Sequence, residues 1–141
     1  MPAARTGGLF YCSANMTLDF TKLDGLIPAV IQEEKSGRVL MVGFMNREAF
    51  QKTVETGHVT FFSRSRNKLW MKGESSGHVL KVKSISTDCD DDSLLIKVDA
   101  LGPGVCHNGY ESCFYRTLTG SEWVESEKPA YDPKTVYGVS K

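Results

Sequence analysis

The sequence lacks an excess of charge of either sign: Lys plus Arg and Asp plus Glu each number 17 in 141 residues, for a formal net charge of zero. A chain devoted to a nucleic-acid backbone or an anionic membrane carries a basic surplus, so the balance argues against both as the dominant partner. It also lacks any apolar run near the roughly 20 residues that span a bilayer. Residues 1–15 lack a positive start followed by a continuous apolar stretch, so no secretory leader is read there, and a cytoplasmic protein is the expectation. Cysteines number 4 and histidines 3. In a reducing compartment four cysteines do not make a disulfide framework, and no C-x-x-C pair announces a zinc ribbon. No internal repeat and no linker divides the chain, whose length suits one core.

What is present reads as an ordinary soluble domain, with 40% hydrophobic and 24% charged residues. Residues 26–31 and 38–45 are strand-like, and Ser36-Gly37 between them supplies hairpin chemistry. Residues 46–57 make the one clear helical signal. Asn46 suits the N-cap, Glu48 the first turn and Gly57 the C′ position, with Phe50 and Val54 on one apolar stripe. Further strands are expected at 58–62, 69–71, 79–86, 94–100 and 113–118. Segment 94–100, almost continuously apolar, is placed at the centre of the sheet. The fold class is α+β and β-rich, mainly antiparallel strands with one or two short helices. Residues 1–23 read as a weakly ordered extension, in which Cys12 is incidental. Residues 24–120 form the domain, and 121–141 a polar tail.

The run TDCDDD at 87–92 carries chemistry of two kinds. On an extended backbone Asp88, Asp90 and Asp92 share one side while Cys89 and Asp91 face the other. Carboxylates suit Mg²⁺ and a thiolate suits Zn²⁺. A solvated acidic turn explains the aspartates equally well. Downstream, Cys106 and Cys113 flank a Gly-bearing loop able to turn both sulfurs toward one ion. With Cys89 they offer three thiolates and an open fourth position, and small buried hydrophobes are the competing reading. His107, next to Cys106, is a general base, a fourth ligand or a plain loop residue.

Between 62 and 78, Arg64, Arg66, Lys68 and Lys72 alternate with hydroxyls and glycines. Arg grips phosphate with paired hydrogen bonds, and Gly73 and Gly77 let backbone N–H groups approach an anion. Trp70 suits base stacking or a core. His58 and His78 can be satisfied polar residues, with His78 the better placed to face a pocket.

Taken together, SRSR at 63–66, LW at 69–70, KGESSGH at 72–78, DCDDD at 88–92, GPGVCH at 102–107 and SCF at 112–114 resemble the phosphoribosyl-AMP cyclohydrolase family. The motifs stand in family order over residues 26–118. The resemblance implies zinc-dependent hydrolytic opening of a purine ring in histidine biosynthesis. It implies zinc on Cys89, Cys106 and Cys113, with Cys89 supplied by the second subunit of a homodimer, and Mg²⁺ on Asp88, Asp90 and Asp92. His107 becomes the expected base. Arg64, Arg66, Trp70 and Lys72 become candidate contacts for a phosphoribosyl nucleotide, together with Gly73, Glu74, Ser75, Ser76 and His78. The rival reading is a non-catalytic zinc module that binds RNA through residues 64–72. A nucleoside deaminase is disfavoured because Asn108 and Gly109 follow His107, so H-x-E is missing.

Overall fold

A computed structural model describes residues 17–137. Cys12 and residues 1–16 of the expected extension lie outside them, as do residues 138–141 of the tail. Strands β1 (Ile27–Glu33) and β2 (Val39–Met45) form the first hairpin, closed by a turn in which Gly37 takes φ +77°. Helix α1 (Arg47–Thr56) follows, then the short hairpin β3 (Thr60–Ser63) and β4 (Lys68–Met71). Strands β5 (Leu80–Thr87) and β6 (Leu94–Ala100) flank the acidic turn. The order in the main sheet is β2-β1-β6-β5, with β1 and β6 parallel and the other pairs antiparallel.

The helix begins and ends where its caps dictate. Asn46 Oδ1 accepts the Ala49 N–H at 2.8 Å, and Gly57 closes the last turn in the left-handed region at φ +76°. Its buried face is Ala49, Phe50, Thr53 and Val54. Thr53 does more than fill space: its hydroxyl donates to Ala49 O at 2.9 Å and accepts the Thr60 N–H at 3.0 Å, tying the helix to β3. Opposite, Gly43 in β2 admits the Phe61 ring, which a Cβ there would meet at 2.4 Å. Ile27, Ile31, Leu40, Met45, Phe61, Leu80, Ile96 and Val98 complete the core.

β6 is central, as its apolar run implies, but it alternates: Leu94, Ile96 and Val98 are buried and Lys97 is exposed. One face of the sheet therefore carries the core. Leu18 and Phe20, within the segment read as an extension, are buried in that core. The strand expected at 113–118 runs over Arg116–Thr119 (β7), and pairs with β8 (Glu122–Glu125) in a hairpin that enters the segment read as a tail. A short helix α2 (Pro133–Tyr137) ends the described chain.

Candidate active site

The acidic turn is not extended. Asp91 sits at φ +61°, and Asp88 Oδ1 accepts the Asp92 and Ser93 N–H groups at 3.0 and 3.3 Å, so the side chain winds the backbone around itself. This corrects the expectation of sides alternating along a strand. Asp side chains compete well for local backbone amides, and that capture outweighs the repulsion of the carboxylates it gathers. The turn still gathers Asp88, Asp90 and Asp92, whose oxygens lie within 4.8 Å of one another.

A cation of the chain itself meets them. Lys22 Nζ lies 3.0 Å from Asp90 Oδ2 and 2.8 Å from Asp92 Oδ2, and the Asp19 N–H donates to Asp91 O at 2.7 Å, holding that segment on the turn. The hydrogen bond from Lys22, then that from Asp92, holds the Asp90 carboxyl below the ordinary range. Lys22 also pulls Asp92 downward, but desolvation and the neighbouring Asp88 and Asp90 leave it raised. Hydrogen bonds to Asp92 and Asp90 raise the Lys22 ammonium.

The cysteine loop is a tight fold between β6 and β7. Val105 and Cys106 donate their N–H groups to Glu111 O and Tyr110 O at 3.1 Å each. This close approach requires Gly104, where a Cβ would stand 2.5 Å from Tyr110 O. Ser112, fully buried, donates its hydroxyl to Val39 O at 2.8 Å, and the Cys113 N–H donates to Leu40 O at 2.8 Å. The loop is thereby stitched to the edge of β2. Arg38 reinforces it with ion pairs to Glu111 and Glu127.

Cys106 is buried, Cys113 is exposed as a residue, and the two thiols are close enough to perturb each other electrostatically. Desolvation of its sulfur, then the negative charge of Cys106, pushes the Cys113 thiol up to about 11, with Lys72 acting in the opposite direction. Two such thiols resist double ionisation unless a cation joins them. The Asn108 N–H points at Cys106 Sγ at 3.4 Å, the donor geometry that suits a metal-bound thiolate. The pair thus fits zinc. Cys89 is exposed on the acidic turn and forms no metal-capable group with Cys106 and Cys113 among the described residues. His107 is exposed in the turn beside the pair.

The basic segment divides in the structure. Arg64, Arg66 and Lys68 are exposed at the β3–β4 turn, where the Arg64 guanidinium lies 4.5 Å above the centre of the Phe44 ring. A cleft of about 500 Å³ has Lys22, Phe44 and Arg64 in its wall. Lys72, by contrast, is buried at 8% exposure. Trp70 is half-buried and packs on Phe61 at the margin of the core, with ring centres 5.4 Å apart. Glu74 and Ser76 serve the backbone: Glu74 Oε1 accepts the Met71 N–H at 3.2 Å, and Ser76 Oγ accepts the His78 N–H at 3.1 Å. Gly73 is required at φ +89°, since a Cβ would meet the His78 backbone at 2.5 Å. Ser75 remains exposed.

His78 is half-buried. Its Nδ1 donates to Gly104 O at 2.9 Å, and its ring meets Tyr131 edge-on at 4.9 Å. Tyr131 in turn donates its hydroxyl to Cys106 O at 2.5 Å. Lys22 and Tyr131 escaped the sequence reading, because nothing adjacent in the chain marks their partners.

The family model for phosphoribosyl-AMP cyclohydrolase matches residues 41–115. A phosphoribosyl-AMP cyclohydrolase of Solibacter usitatus is 68% identical over 123 residues, covering 87% of this chain and 98% of its own. Enzymes of the same name from Geotalea uraniireducens and Geobacter metallireducens are 55% and 53% identical over 120 residues, each covering 85% of this chain and 96% of its own.

Proposed function

The chain belongs to the phosphoribosyl-AMP cyclohydrolase family, and from that membership we propose how its own residues open the purine ring of phosphoribosyl-AMP. It is a hydrolase of histidine biosynthesis: water is added across the C6–N1 bond of the N1-substituted adenine. The relatives' names support this activity and lend nothing to the RNA-binding alternative. The observation that carries the site is the neighbouring Cys106 and Cys113 thiols with His107 beside them.

Cys106 and Cys113 would hold zinc, with Cys89 of a second copy as the third thiolate. Exposed apolar groups support such a pairing. Phe114, next to Cys113, is 55% exposed, and the β7–β8 hairpin exposes Leu118, Trp123 and Val124. A two-stranded ribbon with that much apolar surface is marginal unless something covers it. When bound, zinc supplies a Lewis-acidic centre that lowers the pKa of water toward about 7. Asp88, Asp90 and Asp92 are the group suited to Mg²⁺, which would take the place held by Lys22 Nζ.

Substitution at N1 weakens the aromatic character of the ring and makes C6 electrophilic. His107 accepts the proton of the attacking water. As the C6–N1 bond breaks, its electron pair goes to N1, which takes up a proton. The imidazole is left with a carboxamide, and the second ribose with a formimino link. Arg64 and Lys22 face the same cleft and are the cations best placed for substrate phosphate. Among the described residues no helix is long and apolar enough to cross a membrane, and the cytoplasm is the compartment we propose.

The test is purified protein with phosphoribosyl-AMP, followed by ultraviolet absorbance with and without chelator. Ring opening that stops on chelation and negligible turnover of AMP are expected. Comparable rates on AMP would refute the proposed activation at N1.

A further inference from the structure

The residues from Cys106 to Gly109 form a tight turn, closed by the Gly109 N–H donating to Cys106 O at 2.9 Å, with His107 and Asn108 at its two central positions. Both central residues are exposed, and a surface turn with one internal hydrogen bond is easily opened by competing water. Here each end of the turn is also held from outside. The Tyr131 hydroxyl donates to Cys106 O at 2.5 Å. The Ala130 and Tyr131 N–H groups donate to Gly109 O at 2.6 and 3.1 Å. Gly109, at φ +97°, leaves room for this approach: a Cβ there would stand 2.6 Å from Tyr131 O and 3.0 Å from Pro133 Cδ.

The segment that supplies these donors is itself fixed. After β8 the Ser126 N–H donates to Tyr115 O at 2.8 Å, and Glu127 pairs with Arg38. Pro129 and Pro133 lock a backbone φ angle on either side of Tyr131, so less entropy is lost in holding it against the turn. The Tyr131 ring also meets the His78 ring edge-on, with 4.9 Å between centres, and His78 is bound to Gly104 O at the start of the cysteine loop. Tyr131 thus touches the glycine-serine segment and the His107 turn at once.

We infer that Tyr131 is a positioning residue for His107. The Cys106 carbonyl and the His107 N–H belong to one peptide plane. Two donors on that carbonyl, the Gly109 N–H and the Tyr131 O–H, fix the tilt of the plane and with it the direction in which the His107 side chain leaves the backbone. The two N–H groups on Gly109 O fix the far end of the same turn. A base must stand within hydrogen-bond reach of the water it deprotonates, so losing this hold costs rate rather than metal or substrate affinity. The role rests on the reading of His107 as that base, and it falls to a residue beyond position 115, where the matched family region ends.

The experiment uses the zinc-loaded full chain with Tyr131→Phe, with His107→Ala, and with both together. Tyr131→Phe removes one hydroxyl and keeps the ring against His78. Zinc content and KM should stay as in wild type while kcat falls roughly 10-fold, the scale for a small misplacement of a reacting group. In the His107→Ala background the same change should alter kcat by less than about 2-fold, since a residue that acts only through His107 has nothing left to position. The Gly109 amide proton, followed by NMR, should exchange with solvent faster in Tyr131→Phe than in wild type. Should Tyr131→Phe fail to fold, Ala130→Pro, which removes a donor to Gly109 O, gives the same readings. An equal loss of kcat in both backgrounds, a raised KM with unchanged kcat, or unaltered Gly109 exchange would each overturn the inference. If His107→Ala keeps the wild-type rate, it is the base reading that fails, and Gly109 exchange alone decides whether Tyr131 holds the turn.

Discussion

His78 Nδ1 lies 2.9 Å from the carbonyl oxygen of Gly104, and that hydrogen bond joins the glycine-serine segment to the cysteine loop. A carbonyl only accepts, so Nδ1 carries the proton and the ring orientation is set. Gly102 lies against the same ring, where a Cβ would stand 2.6 Å from Cδ2 on a backbone at φ +117°. His78→Ala should therefore destabilise the fold by about 1–3 kcal/mol, the scale for stranding a partly buried acceptor. Gly102→Ala should act in the same direction. Thermal unfolding and bound zinc are the measurements. An unchanged melting temperature with raised KM would move His78 from the loop to the substrate.

Lys22 pairs with Asp90 and Asp92, so a divalent cation bound to these carboxylates would have to compete with it. Lys22→Met should bind Mg²⁺ a few-fold more tightly by calorimetry, and no more, since the pair is exposed and screened by salt. Asp90→Asn should bind it more weakly while keeping zinc. Because the Asp90 carboxyl is held low, the ion pair is intact above the ordinary carboxylate pKa and is lost as pH falls through the depressed value. Equal Mg²⁺ affinity in wild type and Lys22→Met would exclude the competition.

Cys89→Ser, Cys106→Ser and Cys113→Ser should each lose tight zinc, since a neutral hydroxyl replaces a thiolate. Mixing Cys89→Ser with Cys106→Ser and letting subunits exchange puts both lesions in one site and none in the other. Up to half the wild-type activity per dimer should return. Exchanged heterodimers that stay inactive would mean that each zinc is held within one chain.

His107→Ala should keep zinc and lower kcat by roughly 10²- to 10⁴-fold, the range for a lost general base. Zinc analysis alongside the rate separates the roles: loss of metal with activity would make it a ligand.

What one sequence reveals here is what is encoded locally. Asn46 and Gly57 bound the helix by capping their own neighbours, and Gly37 closes the first hairpin within its own turn. The motifs from SRSR to SCF are contiguous strings and point to a family without any coordinates. The acidic turn shows where local reading stops. A period of two assumes an extended backbone, and Asp88 overrides it by capturing two amides. Trp70 and His78 were each open to more than one role by composition, and no signal along the chain marks their ring contacts with Phe61 and Tyr131.

The sequence by itself determined the strands from β1 to β6, the helix α1 and the family. The tertiary structure alone decided which cation meets which anion. Lys22 reaches Asp90 and Asp92 from 68 and 70 positions away, and Tyr131 reaches the Cys106 carbonyl from 25 away. Lys72 looks like its basic neighbours in sequence and is separated from them only by burial. Burial and long-range pairing depend on how layers pack, which no periodicity along the chain encodes, whereas caps, turns and ligand types act within a few residues of themselves.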